Sequence, residues 1–319
     1  MGLRLRVRES EWLHGLATTA TERPGLVPVV KGNGYGFGRR TLMPIAAGLG
    51  DQIAVGTVYE ASDVPSDRTA IVLTPHIDAL PIGLPTSARL TVGNTAHVEA
   101  LQRQSWGGSV SVKLRSSMRR YGASAAELPS LIDAVAAVGL TLATFSIHLP
   151  LSGDDDARVA EIDAWLPSLP ADVGLSVSHL GVDAYRSLRI RHPDRSFEIR
   201  VGTALWHRDK SQFELSADVL DVHPVAMGDA VGYRQAIVPA DGTLVVIGTG
   251  SAHGVRALDD GRSPFHFQRQ RLTLLEPPHM HTSLTFVPAG SSTPAIGDRI
   301  DVQRPLITTM IDELEWISD

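Results

Sequence analysis

The chain has 319 residues, 43% hydrophobic and 20% charged, an ordinary balance for a globular protein and enough length for one large domain plus a smaller one. A formal charge of −6 with no Lys/Arg-rich run argues against nucleic acid or an anionic membrane as partner. Zero cysteines exclude disulfides, thiolate nucleophiles and Cys-ligated zinc, and no apolar run approaches the roughly 20 residues of a membrane span.

At the N-terminus arginines occur without an apolar h-region or cleavage site, so a cytoplasmic protein is expected. The first strong element is an apolar run from Leu26 to Val30 that enters Lys31-Gly32-Asn33-Gly34-Tyr35-Gly36-Phe37-Gly38. No strict dinucleotide fingerprint or P-loop ending fits these glycines. A lysine where a strand meets such a turn is either a solvated residue or a desolvated amine with a lowered pKa and nucleophilic character.

Further short β-branched runs follow at Ile53 to Thr57, Ala70 to Thr74, Arg89 to Gly93, Ser109 to Leu114, Leu142 to Leu149, Gly174 to Ser178 and Phe197 to Val201. Helix signals separate them, the clearest being the capping box Ser124-Ala-Ala-Glu127, which opens an apolar-faced segment that closes at Gly139. Eight strands alternating with helices predict a (β/α)8 barrel over 1–215, with its site at the C-terminal strand ends. Lys31, Lys113, His148, Ser178 and Arg200 all fall at or near such ends. Beyond Leu215 the texture changes to short strands at Val231 to Val238, Thr243 to Ile247, Arg271 to Leu275, Ser283 to Val287 and Arg299 to Val302, which predicts a smaller all-β domain over 216–319. His279-Met280-His281 has the spacing of a metal pair, but no carboxylate partner is evident, and no metal is expected.

In matching order, several of these segments resemble alanine racemases and their barrel relatives, which bind pyridoxal 5'-phosphate (PLP). The segment around Lys31 is similar to that family's Schiff-base lysine motif, in which the residue matching Tyr35 reaches the cofactor phosphate. Ile199-Arg200-Val201-Gly202-Thr203-Ala204-Leu205 is similar to the last barrel strand, whose arginine meets the pyridine nitrogen, with Gly202 and Thr203 offered to phosphate. An arginine does not protonate that nitrogen, so the ring is a weaker electron sink and simple proton exchange at Cα is favoured.

The resemblance further implies that Arg120 approaches the phenolic oxygen, with Lys113 matching a lysine that can be carbamylated. In the same segment Arg115 and Ser117 stand where the family has an acidic residue and a glycine. His148 would stand over the ring, and Ser178 or His179 would meet the phosphate. Met280 and His281 match a methionine–aspartate pair that touches substrate.

One departure is chemically important. The family's second base is a tyrosine in a Gly-Tyr-Ala-Asp-Gly turn supplied by the partner subunit, and this chain has Gly250-Ser251-Ala252-His253-Gly254. Serine is too weak an acid to replace tyrosine, whereas an imidazole has a reference pKa near neutrality, which makes His253 the candidate second base. The resemblance implies a PLP-dependent amino-acid racemase or epimerase, a small amino-acid-like substrate and a head-to-tail homodimer, with Lys31 as Schiff-base lysine and one base. The alternative is a non-catalytic or one-base PLP protein of the same fold.

Overall fold

The computed structural model describes residues 2–318 and divides into two compact units. One comprises 14–34 and 39–208; the other comprises the residues up to Leu13, 35–38 and those from Asp209 onward.

The first unit is the expected barrel. Eight parallel strands, Leu26–Pro28, Gln52–Val55, Thr69–Val72, Arg89–Val92, Ser109–Lys113, Thr141–Ser146, Gly174–Ser178 and Phe197–Val201, pair in chain order. The last pairs with the first, and the bridge Val29↔Ala54, with Val30 N–H donating to the Ala54 carbonyl at 2.8 Å, closes the ring. Several of these strands, such as Gln52–Val55 and Arg89–Val92, are buried from their second residue on. Continuous rather than alternating burial is what a strand covered on both faces requires, which is why they read as unbroken apolar runs.

Of the seven connections between these strands, five carry an α-helix and two do not. The second strand is followed by a 3-10 turn, Val58–Asp63, and the third by a helix-free loop over 73–88. Ser124 and Glu127 make the expected box: the Glu127 carboxylate accepts from Ser124 N–H at 2.9 Å and from its hydroxyl at 2.7 Å. The helix proper runs Leu128–Ala137.

The second unit is built on a nine-stranded sheet. Its spine is Phe213–Val225, which pairs antiparallel with Arg299–Val302 and, past a register shift, with Gly242–Ile247. The expected strand over Val231 to Val238 is instead a small hairpin, Ala230–Val231 with Ala236–Ile237. A second difference concerns the domain boundary expected at 215/216. Leu3–Arg8 is not a barrel element: it pairs antiparallel with Phe213–Ala217 and parallel with Glu313–Ile317. Its alternation puts Leu3, Leu5 and Val7 inside with no exposure, and Leu3 joins a core with Val219, Val245, Phe265 and Ile300. Arg4 and Arg6 face outward onto Glu313 and Glu214 at 2.7 and 2.8 Å. Among the described residues no helix is long and apolar enough to cross a membrane.

Candidate active site

Lys31 follows the first barrel strand at the C-terminal end of the ring. The turn after it is closed by Gly34 N–H donating to the Lys31 carbonyl at 3.0 Å. Gly34 has φ +63°, and a Cβ there would lie 2.4 Å from Arg39 N, so only glycine fits. The strand behind Lys31 is anchored by Trp206, whose indole N–H donates to the Val29 carbonyl at 2.7 Å.

Four other predicted residues converge with Lys31 on the same end of the barrel. Arg200, 5% exposed, donates through Nη1 to the Ser176 carbonyl and hydroxyl at 2.9 and 2.6 Å, and through Nη2 to the Ile147 carbonyl at 2.6 Å. Burial lowers its pKa to about 10, so it stays charged at neutral pH. Lys113 is buried without a carboxylate pair among the described residues, and burial, then Arg200 and Arg120, hold its amine well below the usual lysine value. His148 is lowered to about 2 by burial first, then by Arg200, Lys113, His179 and Arg120, so its ring is neutral. His179 is lowered for the same leading reason, its Nδ1 lies 2.7 Å from the Leu149 carbonyl, and its ring centroid is 4.6 Å from that of His148.

Lys31 itself is exposed, yet its amine lies below the ordinary lysine value: partial desolvation leads, Arg120 and Arg200 add to it, and Glu60 opposes. Arg120 is exposed, with its guanidinium carbon 4.7 Å from the centre of the Tyr121 ring. Ser178 is 2% exposed and its hydroxyl lies 3.0 Å from His148 Nδ1, so the structure brings it to that ring rather than to open solvent. Gly202 and Thr203 open a short helical turn, Thr203–Trp206, with Thr203 exposed. Two recesses in this unit lie elsewhere: a groove of about 570 Å³ beside Asp155, Asp163, Asp183 and Arg191, and one of about 250 Å³ at the N-terminal strand ends beside Arg23, Gln52 and Glu198.

The remaining predicted residues belong to the second unit. Tyr35 is 6% exposed and left-handed, with φ 56°. His253 is 7% exposed, and both ring nitrogens are engaged: Nδ1 accepts from Gly250 N–H at 3.1 Å, and Nε2 sits 3.0 Å from Asp312. Both contacts tie the ring to the turn it sits in, so moving it would break the Gly250 and Asp312 contacts. Met280 and His281 are exposed, and the His281 ring meets that of His253 edge-on at 5.7 Å. His279 is taken up by a short contact to the buried Glu276 carboxylate and by Thr282 Oγ1 at 3.3 Å. No group of three potential metal ligands occurs among the described residues.

Sequence reading missed Glu60 and Arg39. The Glu60 carboxylate accepts from Gly32 N–H at 3.1 Å and from Gly56 N–H at 2.6 Å, and Arg39 donates to the Gly32 carbonyl at 2.6 Å. No motif marks a contact that spans 28 residues.

Fold and site together define a closed parallel barrel with a lysine and two arginines at its C-terminal end. The pattern of the family described as alanine racemase, N-terminal domain, matches residues 13–207, more than half of the chain, and the chain belongs to that family. It is 24% identical over 306 residues to an alanine racemase of Nitratidesulfovibrio vulgaris (strain DSM 19637 / Miyazaki F), covering 85% of this chain and 81% of the relative. With an alanine racemase of Mycobacterium bovis (strain ATCC BAA-935 / AF2122/97) the identity is 26% over 262 residues, 72% of this chain and 67% of the other. Among solved structures, alanine racemase from Bartonella henselae with covalently bound pyridoxal phosphate aligns at TM-score 0.76 and 18% identity, covering 99% of this chain and 100% of that one. The E. faecalis enzyme aligns at 0.74 and 16% identity, over 99% and 98% of the two chains.

Proposed function

We propose that this chain is a PLP-dependent enzyme that exchanges the proton at Cα of an amino acid, most simply as a racemase or epimerase. The observation that carries the reading is the convergence of Lys31 with Arg120, Arg200 and Lys113 at the C-terminal end of the barrel. Two arginine charges, one of them held by buried hydrogen bonds, beside amines shifted toward their neutral form suit an anionic aldehyde cofactor, and that is the fit PLP requires. PLP, when bound, supplies the electron sink that acidifies the Cα–H of an attached amino acid.

This chain's residues then divide the work. Lys31 would hold the cofactor and, as an amine of lowered pKa, take up and return a proton on its own side of Cα. Arg200, which keeps its proton, would meet the pyridine nitrogen without protonating it. Arg120 would meet the phenolic oxygen, Gly202, Thr203, Tyr35 and His179 the phosphate, and Ser178 would orient the neutral His148 ring. His281, exposed and with no hydrogen bond at its ring among the described residues, is proposed for the opposite face in a partner subunit's site, with His253 holding the turn beside it.

The exposed Met227, Tyr233, Ile237 and Met280 support a homodimer through the second unit, to be checked by sedimentation. A one-base reading is favoured by a separate observation, the replacement of the family's tyrosine by Ser251. The deciding experiment reconstitutes the chain with PLP, fixes the bound cofactor with borohydride, and locates it by peptide mass. Both enantiomers of common amino acids are then followed for deuterium uptake at Cα. Label on Lys31 with exchange and inversion supports the racemase; exchange with retention supports one-base chemistry. Absence of label from Lys31 refutes the reading. Racemization unchanged in His281→Ala would refute that assignment.

A further inference from the structure

The turn that carries Lys31 is held from a neighbouring element. Val58–Asp63 is a 3-10 turn, in which side chains three apart eclipse, so Glu60 and Asp63 project on one side. Both meet the lysine turn. Glu60 receives the amides of Gly32, directly after Lys31, and of Gly56, directly after the second barrel strand. Arg39 donates to the other face of the same glycine, the Gly32 carbonyl at 2.6 Å, while its Nε donates to Asp63 at 2.6 Å and its Nη1 lies 3.9 Å from Glu60.

Gly32 has φ +60° and no atom within 4 Å of where its Cβ would be, so packing does not fix it. Hydrogen bonds do, on both its N–H and its C=O. The Glu60 side chain is 14% exposed, which makes these charge-assisted bonds stronger than their surface equivalents.

We propose that Glu60 is a positioning residue for Lys31, clamping the Gly32 and Gly56 amides while Arg39, braced by Asp63, holds the Gly32 carbonyl. Glu60 also contributes the one negative charge among the groups that act on the Lys31 amine. Arg120 and Arg200 oppose it, and His179, which feels Lys31 in turn, is held toward its neutral form. The role given to Lys31 rests on the PLP reading above, whereas the clamp itself does not.

The test uses the full chain as wild type, Glu60→Gln, Glu60→Ala and Asp63→Asn. One arm measures the pH dependence of trace acetylation at Lys31 by peptide mass. The other measures the PLP concentration that half-saturates borohydride-fixed label on Lys31. In Glu60→Gln the labelling midpoint should move to lower pH, because Arg120 and Arg200 act unopposed, and half-saturation should rise about tenfold, as losing a charge-assisted hydrogen bond implies. Glu60→Ala should lose more affinity, and Asp63→Asn should weaken PLP uptake with a smaller effect on the midpoint. If Glu60→Ala fails to fold, the isosteric Glu60→Gln carries the test. Either readout remaining at the wild-type value in Glu60→Gln overturns the proposal. Should the wild type take up no PLP, the functional reading falls, and the labelling arm alone decides on Glu60.

Discussion

Replacing Trp206 with Phe isolates the support behind the lysine strand. At Val29 the strand ladder is giving way: its N–H is taken by the Val201 carbonyl at 2.9 Å, and the next amide goes to Ala54. Its carbonyl is served by the Trp206 indole at 2.7 Å, from a side chain with no exposure. Phenylalanine keeps an aromatic ring there but removes the donor. A buried acceptor left unsatisfied costs about 1–3 kcal/mol, and the void left by the lost ring edge adds about 1 kcal/mol. The expected destabilisation is therefore about 2–4 kcal/mol, measured from the urea midpoint by circular dichroism. The control is the same substitution at Trp106, whose buried indole nitrogen has no hydrogen-bond partner, so the bond-loss part vanishes. A cost for Trp206→Phe no greater than that for Trp106→Phe would refute the role given to the indole–Val29 hydrogen bond. Because Val29 lies two residues before Lys31, reduced PLP uptake should accompany the loss.

Other outcomes follow from single residues. His148 has its folded pKa lowered to about 2, so between there and its unfolded value the unfolded chain binds more protons, and stability falls as pH falls. His148→Asn should flatten this acid-side loss between pH 6 and 4 by up to one proton, seen in the pH dependence of the urea midpoint; an unchanged slope contradicts the assigned burial. Gly250 has an ordinary extended φ of −163°, yet a Cβ would sit 2.0 Å from the His279 carbonyl, so Gly250→Ala should cost about 1–3 kcal/mol or more through overpacking. Hydrogen exchange should then quicken at the Ser251 and Ala252 amides, which donate to the His279 and Met280 carbonyls. His253→Ala should loosen the same turn by about 1–3 kcal/mol, and Asp312→Asn by less, checked by thermal unfolding.

The barrel was legible because short β-branched runs alternate with helix signals, and all eight such runs became strands. Leu3–Arg8 is equally regular, but its period of two interleaves arginines with the apolar residues, so no apolar run marks it as a strand. Its partners, Phe213–Ala217 and Glu313–Ile317, lie more than 200 residues away, so no local signal announces them. At the site, residues that end strands could be placed from the sequence, since strand ends converge in a barrel by construction. What they bond to could not. That His253 would spend both nitrogens on Gly250 and Asp312, or that Ser178 would meet His148, depends on distances that sequence spacing does not contain.

The electrostatics of the barrel end give these placements a common logic. Arg200 is charged at neutral pH, and three hydrogen bonds to Ser176 and Ile147 hold that charge in place. Lys113, His148 and His179 feel Arg200, and burial has already pushed each toward its neutral form. The result is a fixed positive charge surrounded by amines and imidazoles that resist adding to it. Carboxylates act at two points only: Glu198 on Arg200, and Glu60, itself bound to two backbone amides, on Lys31. An arrangement that costs stability in this way is characteristic of a functional site. On the proposed reading, a neutral His148, tilted against His179, is a poor proton donor, whereas the Lys31 amine is exposed and shifted downward.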